Sequence, residues 1–196
     1  MSNSVCNILP YDGEVLYYPT VVSQQQSDRW YQLLKKTIPW EAEHVVMFGR
    51  RLQLKRAVAW YALTNRSYTY AGQTKQALLM TPPLLELKHM VEQLSQVTFN
   101  SCLLNWYHNG TEAMGWHRDN ERELVAGGVI ASISFGESRI FRFKHIKTTD
   151  IYSITLESGS VLIMRGAVHE SWRHELRKAP SQENGRINIT FRQLVE

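Results

Sequence analysis

Cysteine is scarce in this chain: 196 residues carry two, Cys6 and Cys102. Two thiols so far apart have no metal-finger spacing and build no disulfide framework. Long apolar runs are missing as well. None approaches the ~18 residues of a membrane span, so no membrane partner is expected. The opening "MSNSVCNILPYDGE" lacks a basic segment followed by an apolar core, and no secretory signal is expected from it. A dominant charge is also absent, with 22 Lys plus Arg against 18 Asp plus Glu. So mild an excess permits a polyanionic partner without requiring one. There is no internal repeat, no low-complexity linker and no credible Ser or Cys triad. What remains is a single intracellular domain with reduced thiols, cytoplasmic in a bacterium or nuclear in a eukaryote, and a monomer by default.

Aromatics, by contrast, are plentiful. Six tryptophans and nine tyrosines serve cores and base-stacking surfaces alike. Two stretches of the N-terminal half have helical periodicity. Ser23 to Thr37 places Trp30, Leu33 and Leu34 at helical spacing, with Ser23 or Ser27 as the cap. Pro82 to Gln96 aligns Leu84, Leu87, Val91 and Leu94, with Thr81 as the cap and prolines in the first turn. From about residue 98 the period changes to two. "NSCLLNWY", "GGVIASISF", "RIFRFK", "YSITLE", "GSVLIMRG" and "RINITFR" read as short strands separated by Gly, Ser or Asn. That series predicts a mainly β fold with flanking helices, a sandwich or jelly roll.

The polar residues of these strands carry the chemistry. In "WHRD", His117 and Asp119 are two apart and share one face of an extended chain. Imidazole and carboxylate suit divalent iron, and one further histidine completes a three-ligand face with open coordination positions. His169 and His174 both follow "GSVLIMRG", and spacing does not choose between them. His44, His89, His108 and His145 have no such companions and read as surface or structural residues. "RINITFR" splits by parity. Ile187, Ile189 and Phe191 form a core face, opposite Arg186, Asn188, Thr190 and Arg192. Buried arginines need an anion, and a dicarboxylate matches their forked donors.

The pattern of "NWY", "HRDNERELVAGGVIASISFG", "WRHEL" and "RINITFR" resembles the AlkB family of iron(II) and 2-oxoglutarate-dependent dioxygenases, closest to its vertebrate-type nucleic-acid demethylase branch. The likeness runs from about residue 40 to 193. It implies a double-stranded β-helix, or jelly-roll, core over 98–193 with N-terminal helices buttressing one sheet, and a nucleotide-recognition region over 40–75. It implies iron ligation by His117, Asp119 and His174, because the family histidine follows an aromatic and one variable residue. It implies co-substrate binding by Asn105, Tyr107, Arg186, Asn188 and Arg192. In the family pattern the final arginine meets the distal carboxylate of 2-oxoglutarate, and the first organises the pocket.

The activity so implied is oxidative demethylation of 1-methyladenine and 3-methylcytosine in DNA. Fe(II), O2 and 2-oxoglutarate are consumed, and formaldehyde, succinate and CO2 are released. The alternatives are an RNA demethylase of the same mechanism, a protein hydroxylase, or a nucleic-acid-binding module without catalysis. The segment "HVVMFGRRLQLKRAVAWYALTNRSYTYAG" matches the family's nucleotide-recognition region. Tyr68 and Tyr70 would stack a flipped base with His117, and Glu121 would accept from its exocyclic amine. Phe48 would be a wedge in the base stack, and Arg56, beside Arg50, Arg51 and Lys55, would contact phosphate. One departure is that Lys55-Arg56 stands where the branch often has Pro-Arg, which removes the stiffness of that turn.

Overall fold

The computed structural model describes residues 6–47, 50–70 and 73–195, with side chains described outside 43–53 and 68–75. In chain order the elements are β1 (Glu14–Tyr18), α1 (Gln24–Thr37), β2 (Glu41–Met47), β3 (Arg50–Ala62), β4 (Ser67–Tyr70), β5 (Gln73–Gln76), β6 (Leu78–Leu79) and α2 (Pro82–Ser95). There follow β7 (Ser101–Tyr107), β8 (Met114–His117), β9 (Ile130–Gly136), β10 (Arg139–His145), β11 (Ile151–Leu156) and β12 (Val161–Arg165). The chain closes with α3 (Val168–Ser171), β13 (Trp172–Leu176) and β14 (Arg186–Arg192).

Two sheets face one another in a jelly roll. The larger runs β1-β12-β9-β14-β7-β3-β2, with β6 pairing β3, and the smaller runs β11-β10-β13-β8. The eight strands of the jelly roll itself, four from each sheet, all lie between residues 101 and 192. Earlier strands extend the larger sheet at both edges: β1 pairs β12 on one side, and β3 pairs β7 on the other. The β4–β5 pair stands as a separate two-stranded hairpin.

The parity of β14 organises the interior. Ile187, Ile189 and Phe191 are fully buried in the main apolar cluster with Leu34, Leu84, Leu87 and Val91. Both helices therefore cover the outer face of the larger sheet, and the polar face of β14 turns toward the smaller sheet. Ser23 caps α1 in a reciprocal capping box with Gln26, which answers the choice between Ser23 and Ser27; Ser27 is buried instead. Leu33, expected on the buried stripe, is 39% exposed, so α1 packs through Leu34 with Trp30 alongside. Thr81 occupies the cap position of α2 but makes no side-chain cap bond. The proline at the second position already removes one of the donors that a cap would satisfy. Gln96 ends α2 in the left-handed conformation.

Candidate active site

Strand register assembles the site. His117 ends β8, and its cross-strand partner in β13 is His174. Their Nε2 atoms lie 3.1 Å apart, and His174 Nε2 is 3.6 Å from Asp119 Oδ2. Adjacent ligands on an octahedron with bonds of about 2.1 Å sit roughly 3 Å apart, so this spacing suits one divalent ion. The three donor atoms all lie within 4.8 Å of one another. His117 Nδ1 lies 2.8 Å from the Gly115 carbonyl. Donation there leaves Nε2 with its lone pair aimed at the shared point.

Electrostatics keep His174 and Asp119 in ligand form. Burial, seconded by His117, lowers the His174 imidazole to about 3. Burial alone would raise the Asp119 carboxyl, but the Arg192 guanidinium and the neighbouring histidines outweigh it and hold it at about 2. A neutral imidazole and an ionised carboxylate are the forms that bind metal. His169 is not part of this cluster. It sits in α3, 7% exposed, and burial lowers its imidazole too.

Next to the triad, β7 and β14 build a polar wall. Their register sets Tyr107 opposite Arg186 and Asn105 opposite Asn188. The Arg186 guanidinium lies 5.7 Å from the Tyr107 ring centroid and donates to Ser134 Oγ at 2.8 Å. Asn188 donates to Ser132 Oγ at 2.6 Å and accepts from Thr190. Arg186 is 3% exposed, its Nε has no partner, and no carboxylate pairs with it among the described residues. Burial lowers it to about 10, so it stays charged at neutral pH. A buried cation of this kind calls for an anion.

Two expectations change here. Arg192, expected at the distal carboxylate, donates through Nη2 to Asp119 Oδ1 at 2.7 Å, which ties it to the metal end of the pocket. Arg186 stands six residues earlier on the same strand. Arg56, expected to contact substrate phosphate, is 5% exposed, lines the inner pocket and donates through Nε to Asn105 Oδ1 at 3.1 Å. The parity of β3 turns it inward, whereas Lys55 is exposed.

Glu121 lies on the loop after Asp119, lines the same pocket and has a buried Oε2 without a partner. Tyr68 and Tyr70 lie on β4, opposite Lys75 and Gln73 of β5, with their side chains outside the described residues. Phe48 lies outside the described residues, between β2 and β3. His89 is exposed, and His145 is a buried structural residue bonded to Asp12 and Thr148.

Sequence reasoning passed over Ser132, Ser134 and Arg139. Arg139 is 2% exposed, donates to the Glu112 and Arg177 carbonyls and lies 5.9 Å from the Tyr107 ring. The signal was available in strand parity. Ser132 and Ser134 alternate with Ile133 and Phe135, and Arg139 shares its face with Phe141 and Phe143.

Two histidines and a carboxylate on one face, beside a buried and unneutralised arginine, define a non-haem iron oxygenase site with room for an anionic co-substrate. Comparison with known proteins agrees. A family model described as the 2OG-Fe(II) oxygenase superfamily matches residues 14–192. The chain is 31% identical over 189 residues to the DNA oxidative demethylase ALKBH2 of Bos taurus, covering 91% of this chain and 68% of that protein. It is 32% identical over 190 residues to the alpha-ketoglutarate-dependent dioxygenase alkB homolog 3 of Bos taurus, covering 92% and 66%. The solved structure of OsALKBH1 shares the fold, with a TM-score of 0.65 at 18% identity over 91% of this chain and 97% of that one. The chain belongs to the 2OG-Fe(II) oxygenase superfamily, within its AlkB family, and is an Fe(II)- and 2-oxoglutarate-dependent dioxygenase.

Proposed function

We propose that the chain demethylates N-alkylated nucleobases in DNA, with 1-methyladenine and 3-methylcytosine as substrates and direct reversal of alkylation damage as its role. The observation that carries this reading is the pairing of the His117, Asp119 and His174 face with the buried Arg186. The likeness to ALKBH2, a DNA oxidative demethylase, supports the substrate class.

On this reading His117, Asp119 and His174 hold Fe(II), which when bound activates O2 at the expense of 2-oxoglutarate and oxidises the N-methyl carbon. Arg186 and Tyr107 take the distal carboxylate of 2-oxoglutarate, because that cation is buried and lacks an anion. Arg192 holds the Asp119 carboxylate in orientation and keeps it ionised. Asn105 and Asn188 line the pocket between these ends, with Arg56 fixing the Asn105 amide. Glu121 offers an unpartnered carboxylate oxygen to the exocyclic amine of the base. Tyr68, Tyr70 and Phe48 complete the substrate side as stacking and wedge residues from the 40–75 region.

The direct test incubates the protein with Fe(II), ascorbate, 2-oxoglutarate and oligonucleotides bearing either lesion, single- and double-stranded. Formaldehyde and the restored base are the expected products. Absence of turnover on both lesions in both forms sinks the reading, and faster turnover on matched RNA moves the substrate to RNA.

A further inference from the structure

Arg139 opens β10 and is 2% exposed. Its Nη2 donates to two backbone carbonyls, that of Glu112 at 2.7 Å and that of Arg177. Those bonds tie the start of β10 to the loop before β8 and to the chain leaving β13. A neutral amide would make the same kind of bond. A buried guanidinium is the costlier choice unless its charge is answered.

The charge faces Tyr107. The Arg139 guanidinium lies 5.9 Å from the Tyr107 ring centroid, and that of Arg186 lies 5.7 Å from the same ring. Both distances fall in the cation–π range, so two buried cations hold one ring. Tyr107 and Arg186 line the inner pocket, and Arg139 stands behind them. Burial lowers Arg139, and the Tyr107 phenol and the Glu112 carboxylate offset part of that. Burial likewise lowers Arg186 to about 10, Tyr107 opposes the change, and Arg139 adds to it. The two cations therefore repel one another, and a negative charge arriving beside Tyr107 relieves both. Glu112 answers Arg139 only in part, because its carboxylate also accepts the His108 backbone N–H at 3.0 Å and lies 3.1 Å from His108 Nδ1.

We propose that Arg139 is a positioning residue for the co-substrate: it fixes the Tyr107 ring against Arg186 and places a second positive charge behind it, so that this end of the pocket selects ligands with a distal carboxylate. The proposal rests on the reading above that Arg186 and Tyr107 take that carboxylate.

The test compares two ligands of the Mn(II)-loaded full chain by calorimetry. One is 2-oxoglutarate, and the other is 2-oxopentanoate, which has the same carbon chain and no distal carboxylate. R139Q should bind 2-oxoglutarate about tenfold more weakly, a loss in the range of a desolvated cation–π contact, and 2-oxopentanoate within about twofold of wild type. R139K keeps the charge and should restore most of the loss. A residue that only staples loops would weaken both ligands alike or neither, and either result in R139Q overturns the proposal. So does R139K binding as weakly as R139Q. Unfolding temperature shows whether R139Q folds. If it does not, E112Q decides, since it removes the carboxylate that offsets Arg139: tighter 2-oxoglutarate binding with unchanged 2-oxopentanoate binding supports the proposal, and no change in either overturns it. R186Q separates this proposal from the reading beneath it. If R186Q loses its preference for 2-oxoglutarate while R139Q keeps it, only the Arg139 role falls. If R186Q keeps that preference, both fall.

Discussion

Arg192 Nη2 donates to Asp119 Oδ1 at 2.7 Å, a bond that joins the last strand of the larger sheet to the loop following the smaller sheet's edge strand. It leaves the other carboxylate oxygen, Oδ2, facing His174 at 3.6 Å. Arg192→Gln should therefore weaken metal binding by about 10- to 100-fold, the usual loss when a ligand's hydrogen-bond partner is removed. Mn(II) titration by calorimetry or electron paramagnetic resonance reads this directly. Unchanged metal affinity together with a large rise in KM for 2-oxoglutarate would return Arg192 to the distal-carboxylate role.

Arg186→Gln should show the opposite pattern. Loss of a buried charge partner costs about 2–5 kcal/mol, or roughly 30- to 5000-fold in the apparent affinity for 2-oxoglutarate. Metal affinity should remain within a few-fold of wild type, because Arg186 touches Ser134 and Tyr107 rather than a ligand residue. Comparison of the two arginine variants in one co-substrate titration assigns both roles.

The metal-free protein should lose stability as pH falls below neutrality. His174 is held at about 3 when folded, against about 6.5 when unfolded. Between those values the unfolded chain binds more protons, so stability rises with pH and declines as pH drops from about 6.5 toward 3. The slope from this residue reaches at most about 1.4 kcal/mol per pH unit. Asp119 adds its own loss only below about pH 4, as it protonates. Unfolding temperatures at pH 7, 6 and 5 should fall steadily in the wild type and less in His174→Leu; equal slopes would refute the assignment.

The helix caps should respond unequally. Ser23→Ala removes the side chain that accepts from Gln26 and should cost about 1 kcal/mol. Thr81→Ala should cost much less, because Thr81 makes no cap bond. Urea denaturation of the two variants side by side measures the difference.

Much of the fold was legible because strand and helix periodicity are local. The stripe Leu84, Leu87 and Val91 and the alternation of β14 each required only their own segment, and both faces appear as read. Leu33 misled because helical spacing does not say how wide the buried stripe is, and α1 lies against the sheet along a narrow line through Leu34. Arg56 misled because a run of basic residues looks solvent-facing until the strand carrying it is seen to border β7. Ser132, Ser134 and Arg139 were legible by parity but have meaning only once the strands opposite them are known.

The sequence by itself determined which donors exist and, along β14, which face each one shares, since a two-residue period suffices there. Arg186, Asn188 and Arg192 in one row follow from that alone, whereas β8 ends at His117 and Asp119 lies on the loop after it. Tertiary structure decided which distant partner each one meets. His174 rather than His169 completes the cluster because β13 lies beside β8 with His174 opposite His117, while His169 falls in α3 before it. Arg192 rather than Arg186 meets the metal carboxylate because the end of β14 abuts the loop after β8. Contacts across 57 and 73 residues depend on how the sheets close, and a local pattern holds no information about that.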